Sequence, residues 1–227
     1  VNNKSIQGLL KENRAFLLPY LLFLLGGGLL ITVYSKPALH LYINEHSQGL
    51  ADTFFRFVTW LGDGLTVTFF ALIFLLWQVR SGLLLAISGI LAGILTQSLK
   101  RTMFSSMERP KKYFEDLHQQ LHLVPGVENY GGHTFPSGHT ASAFALYFAL
   151  SILSENKLLK TAFFFLALLV GLSRVYLSQH FFNDIYAGSI IGIASVLLTW
   201  LLLSRSSFFR DAGWAHYSVL RRKSIQS

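Results

Sequence analysis

Ser173-Arg174-Val175-Tyr176-Leu177-Ser178-Gln179-His180-Phe181-Phe182-Asn183-Asp184 places a guanidinium, an imidazole and a carboxylate within twelve residues. It is wedged between two apolar runs, Thr161 to Leu172 and Ile185 to Leu203, that have no other use for charge. Ionisable groups at the edge of a membrane span are costly and mark functional sites. His180 and Asp184 are four apart, so on a helix the carboxylate lies one turn along the same face and can hold and polarise the imidazole. Such a pair makes a nucleophile or a base.

The composition sets the solvent. Of 227 residues 52% are hydrophobic, 15% aromatic and 13% charged, with a mean hydropathy of +0.46. These values describe an integral membrane protein. The absence of cysteine removes disulfide and thiolate chemistry. The net charge of +8 is spread through the gaps between apolar runs and does not form one basic arm. Anionic lipid headgroups are therefore the expected partner, and nucleic acid is not.

Outward from this stretch, apolar runs recur at Ala15–Val33, Leu61–Val79, Gly82–Leu99 and Thr140–Leu153. With Thr161–Leu172 and Ile185–Leu203 they predict an all-α fold of six transmembrane helices, in one domain over residues 1–227. Residues 1–14 read as a cytoplasmic tail, residues 34–60 as an interfacial segment and residues 204–227 as a basic cytoplasmic tail. Gln78 to Ser81 reads as a tight turn, and Gly26 to Gly28, Gly89 and Gly93 as small-residue packing faces. The fourth and fifth runs fall short of the roughly 20 residues of a full span, so their polar ends are expected at headgroup depth.

Residues 100–136 read as an ordered extracytoplasmic loop with one short helix between spans three and four. Six spans put both termini on one side, where eleven Lys and Arg are counted against eight opposite. That favours cytoplasmic termini. The same topology brings the 100–136 loop, the start of span four and the 173–184 stretch to the outer face, where three separated segments can build one site.

At the mouth of span four the sequence is Pro136-Ser137-Gly138-His139-Thr140. Serine is a favoured N-cap, and a helix beginning there aims free N–H groups and its positive dipole end outward, a cradle for phosphate. His139 beside it can donate a proton to a leaving oxygen. His118 and His122 have helical i, i+4 spacing, but neither a Glu in an H-E-x-x-H arrangement nor a cysteine accompanies them, so no metal site and no cofactor is expected.

Taken together, Ser173-Arg174-x5-His180-x3-Asp184 and Pro136-Ser137-Gly138-His139 resemble two of the three signature motifs of the type 2 phosphatidic acid phosphatase (PAP2) superfamily. The third, a Lys followed six residues later by Arg-Pro, is represented by Arg109-Pro110. Here eight residues intervene between Lys100 and Arg109, so Lys100 or Arg101 takes the place of the motif's lysine. The resemblance covers residues 100–184 by motif, and the membrane lipid phosphatase branch by span layout.

The resemblance implies that His180 attacks phosphorus to form a phosphohistidine, that Asp184 orients it, and that His139 protonates the leaving group and then activates water. Lys100, Arg109, Ser137, Gly138 and Arg174 would hold the phosphoryl oxygens. Cationic forks, a helix N-terminus and two histidines with opposite duties suffice for such a transfer. The expected activity is hydrolysis of a lipid phosphate or diphosphate at the outer face of a bacterial inner membrane. Undecaprenyl diphosphate is the first expectation; phosphatidylglycerophosphate, phosphatidic acid, lipid A phosphate and phosphotransfer stay open, as does the oligomeric state. A transporter would place its charges near mid-span, whereas these map to one face.

Overall fold

The computed structural model of the chain describes residues 5–47 and 49–206, and among them the regular structure is entirely helical. In order come α1 (Ile6–Glu12), α2 (Arg14–Val33), α3 (Lys36–Glu45), α4 (Leu50–Val58) running into a 3-10 turn (Thr59–Gly62), and α5 (Gly64–Trp77). There follow α6 (Val79–Thr102), α7 (Pro110–Asp116), α8 (Gly138–Leu153), α9 (Lys157–Tyr176) and α10 (Phe182–Arg205). Starts are set by side chains that accept from free amides: Ser5, Ser35, Asp63, Ser137 and Asn156 cap α1, α3, α5, α8 and α9.

Helices α2, α6, α9 and α10 are long and apolar enough to cross a membrane. The segment Leu50–Gly62 and α5 pass that test only together, bent by 48°. Helix α8 has 16 residues, fewer than the roughly 20 of a full span. It nevertheless lies at the centre: every residue from Ala143 to Ser151 is buried, and α6, α9 and α10 pack around it. A helix apolar all round belongs inside a bundle, and enclosed by protein it need not match a lipid thickness. Phe16, Phe144, Phe148 and Phe164 interlock beside it at centroid distances of 5.1 to 6.4 Å.

Three boundaries differ from the sequence reading. Only Gln78 interrupts the α5–α6 passage, so the expected turn residues Arg80 and Ser81 are buried in the first turns of α6. Arg80 turns inward because its Nη2 donates to the Leu203 carbonyl at 3.1 Å. The fifth run, expected to be short, extends to 20 residues as α9, because Asn156 caps it before Lys157 and the helix continues through Arg174 to Tyr176. Finally, α7 ends at Asp116, so His118 and His122 share no helix; His122 Nε2 meets Asp52 Oδ2 at 3.0 Å instead. Of the basic tail, Arg205 closes α10, while Arg210, Arg221, Arg222 and Lys223 lie outside the described residues.

Close helix approach rests on small residues. A Cβ at Gly192 would sit 2.5 Å from the Ala141 carbonyl oxygen and 2.8 Å from Phe144 Cβ, so α10 touches α8 there through backbone. In α2 the Tyr186 ring lies over Gly27, whereas Gly26 faces open space; in α6 Gly89 faces Val67 and Gly93 faces nothing. Gly192→Ala should therefore cost about 1–3 kcal/mol through overpacking and lower the thermal unfolding midpoint in detergent. Gly26→Ala, in a helix with room for the methyl, should leave the midpoint unchanged or raise it. Equal effects of the two substitutions would contradict this packing.

Candidate active site

The alternation of helices gathers the N-termini of α5, α8 and α10 and the C-termini of α6 and α9 at one end of the bundle. His180 arrives there through a helix stop. Helix α9 ends in a Schellman turn, the Gln179 amide donating to the Arg174 carbonyl at 3.0 Å and the Ser178 amide to that of Val175 at 3.0 Å. Ser178 occupies the left-handed region, φ 54°, which costs a residue with a Cβ roughly 1–2 kcal/mol. Its hydroxyl is held by Asn44 Nδ2 and His40 Nε2, each at 3.2 Å. The chain reverses, and His180 faces back over the start of α10.

Asp184 lies on the first turn of α10 and reaches back to the Phe181 amide, Oδ2 to N 2.9 Å, the carboxylate half of a capping box. The positive end of the helix favours its charge. The same Oδ2 lies 3.2 Å from His180 Nδ1 and accepts from the Thr134 hydroxyl. With the Nδ1 proton directed to the carboxylate, His180 presents the Nε2 lone pair outward. Burial holds the imidazole well below its usual pKa, against the opposing pull of Asp184. The ring is therefore neutral, the form that can attack, across the physiological range.

The second histidine is built from another direction. Ser137 caps α8, its Oγ accepting from the Thr140 amide and, at 2.9 Å, from the Thr140 hydroxyl. Its own amide donates to the Asp184 carbonyl at 3.0 Å, which locks the α8 start onto α10. His139 follows, and its Nε2 lies 3.4 Å from Asp63 Oδ2. Asp63 stands there because Gly62 lets the 3-10 turn rest on α8; a Cβ at Gly62 would strike Val170 and lie 2.9 Å from the His139 carbonyl oxygen.

Three cations complete this end. Lys100, in the last turn of α6, is buried, whereas Arg101 is exposed. Arg174 is 6% exposed, with Nη1 donating to Thr59 Oγ1 at 2.6 Å and Nε left without a partner. Arg109 starts α7; its Nε donates to the Gly132 carbonyl at 3.1 Å and its guanidinium lies 5.6 Å from the Tyr130 ring centroid. Arg109 repels both Lys100 and Arg174 and acts on both histidines. Among the described residues none of the three cations is in an ion pair. Three like charges gathered at one end and out of direct contact with the nearby Asp63 and Asp184 call for an anion.

The loop carrying Arg109 is fastened at both flanks. Asn44 bonds the His122 backbone twice, at 2.8 Å each; Gln179 Nε2 donates to the Glu128 carbonyl at 2.9 Å. Sequence reasoning missed Asp63, Thr134 and Thr59. Asp63 had a signal, a carboxylate between two glycines at the head of an apolar run; Thr134 stands two residues before the Pro136 motif; Thr59 had none.

This end of the bundle defines a class: an apolar helical protein that sets a histidine–carboxylate pair beside clustered cations and a capped helix start. The family model of the PAP2 superfamily matches residues 81–208, and the chain belongs to that superfamily. It is 28% identical over 149 residues to a lipid A 1-phosphatase of Rhizobium johnstonii, covering 66% of this chain and 50% of that protein. It is 30% identical over 164 residues to lipid phosphate phosphatase 1 of Arabidopsis thaliana, covering 62% and 49%. The chain thus spans about half the length of these curated relatives. The crystal structure of Aquifex aeolicus LpxE superposes with a TM-score of 0.63 at 28% identity, covering 72% of this chain and 93% of that one.

If Asp63 serves His139 as Asp184 serves His180, the two carboxylates carry separable effects. His139→Ala should lower kcat for phosphate release by about 10²- to 10⁴-fold, the usual worth of a general acid–base group. Asp63→Asn should lose a smaller part of that factor with KM nearly unchanged. A change confined to KM would assign Asp63 to substrate binding instead.

Proposed function

We propose that this protein is an integral membrane lipid phosphatase that hydrolyses a lipid-linked phosphate or diphosphate through a phosphohistidine. The observation that carries the reading is the meeting, at one end of the bundle, of two carboxylate-held histidines with three cations that form no ion pair among the described residues. Membership of the PAP2 superfamily and relatives named for phosphate removal from lipids support it.

In this mechanism Lys100, Arg109 and Arg174, with the Gly138 amide end of α8, hold the phosphoryl oxygens and stabilise charge as it spreads over them. Ser137 serves by capping the helix that presents those amides. The His180 Nε2 lone pair forms a bond to phosphorus while the bond to the leaving oxygen breaks. His139 donates a proton to that oxygen, with the Asp63 carboxylate facing its Nε2 and holding the ring in place. His139 then removes a proton from water, whose oxygen displaces Nε2 from phosphorus and releases phosphate. Throughout, Asp184 keeps the Nδ1 proton in place. The scheme requires no metal.

Of the two basic residues opening the loop, Lys100 is the one we assign to the cradle, since it is buried at this end and Arg101 is not. The proposed topology counts α8 and the bent α4–α5 unit as spans, making six, with both termini cytoplasmic and the site at the outer face of a bacterial inner membrane. Undecaprenyl diphosphate, lipid A phosphate, phosphatidylglycerophosphate and phosphatidic acid all present the required group.

The test is phosphate release by purified protein against a panel of these lipids, with EDTA present, beside His180→Ala. Release that survives EDTA and disappears in the variant is the expected result, and the best lipid names the substrate. Equal release by His180→Ala would remove His180 as nucleophile; loss in EDTA would overturn the metal-independent scheme.

A further inference from the structure

At the end of the bundle opposite the histidines lies a cavity of about 900 Å³, within the range of small-molecule sites. Its wall is apolar and aromatic, with Trp77 at the end of α5 and Trp200 of α10. Its rim carries the exposed Lys11 of α1, Arg14 at the start of α2 and Lys157 at the start of α9, and the buried Lys160 of α9 also lines it. Glu12 and Glu155 also line it, so the cations outnumber the carboxylates four to two.

The parts are arranged by depth. The apolar wall comes from the C-terminal parts of α5, α8 and α10, and the cations come from the last turn of α1 and the starts of α2 and α9. Lys160 is 4% exposed and its ammonium donates to the Glu12 carbonyl and to Asn13 Oδ1, each at 2.9 Å. It thereby fastens the α1–α2 junction over the cavity. Ser151 Oγ donates to the other face of that junction, Asn13 Oδ1, at 3.0 Å. Lys11 and Arg14 are therefore held on a fixed rim, across from Lys157. Among the described residues these three form no ion pair.

We infer that this cavity is a binding site for an anionic phospholipid, separate from the catalytic end. Its headgroup phosphate would lie among Lys11, Arg14 and Lys157, and an acyl chain would lie along Trp77 and Trp200. Basic pockets between membrane helices recognise anionic headgroups, and tryptophans hold position at that depth. No histidine lines the cavity, so the lipid is bound and not hydrolysed there. The inference does not depend on the proposed reaction.

The experiment is native mass spectrometry of the full chain in detergent, with equimolar phosphatidylcholine and phosphatidylglycerol. Wild type should retain one phosphatidylglycerol in preference to phosphatidylcholine. Each neutralised cation should weaken that preference by about fivefold, the worth of roughly 1 kcal/mol per basic residue near a membrane surface. The triple variant Lys11→Gln/Arg14→Gln/Lys157→Gln, all exposed positions, should therefore lose it. Arg109→Gln, at the opposite end, should keep it, which separates this cavity from lipid held in the catalytic cradle. Equal retention of the two lipids by wild type would overturn the proposal. So would an unchanged preference in the triple variant, or displacement of the bound lipid by millimolar inorganic phosphate.

Discussion

One carboxylate organises the histidine-bearing end of the bundle. Asp184 Oδ2 accepts from the Phe181 amide, faces His180 Nδ1 and receives the Thr134 hydroxyl, while the Asp184 backbone carbonyl takes the Ser137 amide. A single residue thus fixes the tautomer of the first histidine, the start of α10, the end of the long loop and the start of the helix that bears the second histidine. Asp184 is fully buried, where an unpaired charge would be expensive, so its contacts keep the surrounding segments in register.

The second constraint is repulsion. Lys100, Arg109 and Arg174 come from three separate elements, and among the described residues none of them is in an ion pair. Such an arrangement is tolerable only because the bundle is held elsewhere, by a core of aromatic side chains around α8 and by backbone contact at Gly192. The stability lies in the middle of the bundle, and its ends carry the strained and charged groups, Ser178 and the three cations among them. This division is how a fold supports a site that alone would be unfavourable.

Much of this was legible in the sequence because apolar runs and short motifs are local. The helical class followed from the runs, and α2 and α10 begin and end within a few residues of the expected limits. His180 and Asp184 do pair, but His180 precedes the Phe181 N-cap, so the contact comes from the start of α10 and not from one helical face as the spacing suggested. Arg80 was misread as a turn residue because nothing local shows that the Leu203 carbonyl waits to accept from it. The end of α9 was misread because a capped helix can carry Lys160 and Arg174 inside protein, where hydropathy counts them as breaks. Asp63 and Thr59 reach the site across more than 75 residues of chain, and no spacing rule covers that distance. The span count also depends on tertiary enclosure, since α8 is short for a lipid bilayer and suited to a protein surround.

The account turns on a covalent bond between His180 and phosphorus. The most direct measurement mixes the purified protein with a lipid carrying radiolabelled phosphate, quenches in alkali, where a phosphoramidate survives, and maps the labelled peptide. An acid-labile, base-stable phosphate on the peptide containing His180, enriched in His139→Ala and absent from His180→Ala, is the predicted result. Label on any other residue, or turnover with no labelled protein in either the wild type or His139→Ala, would contradict it.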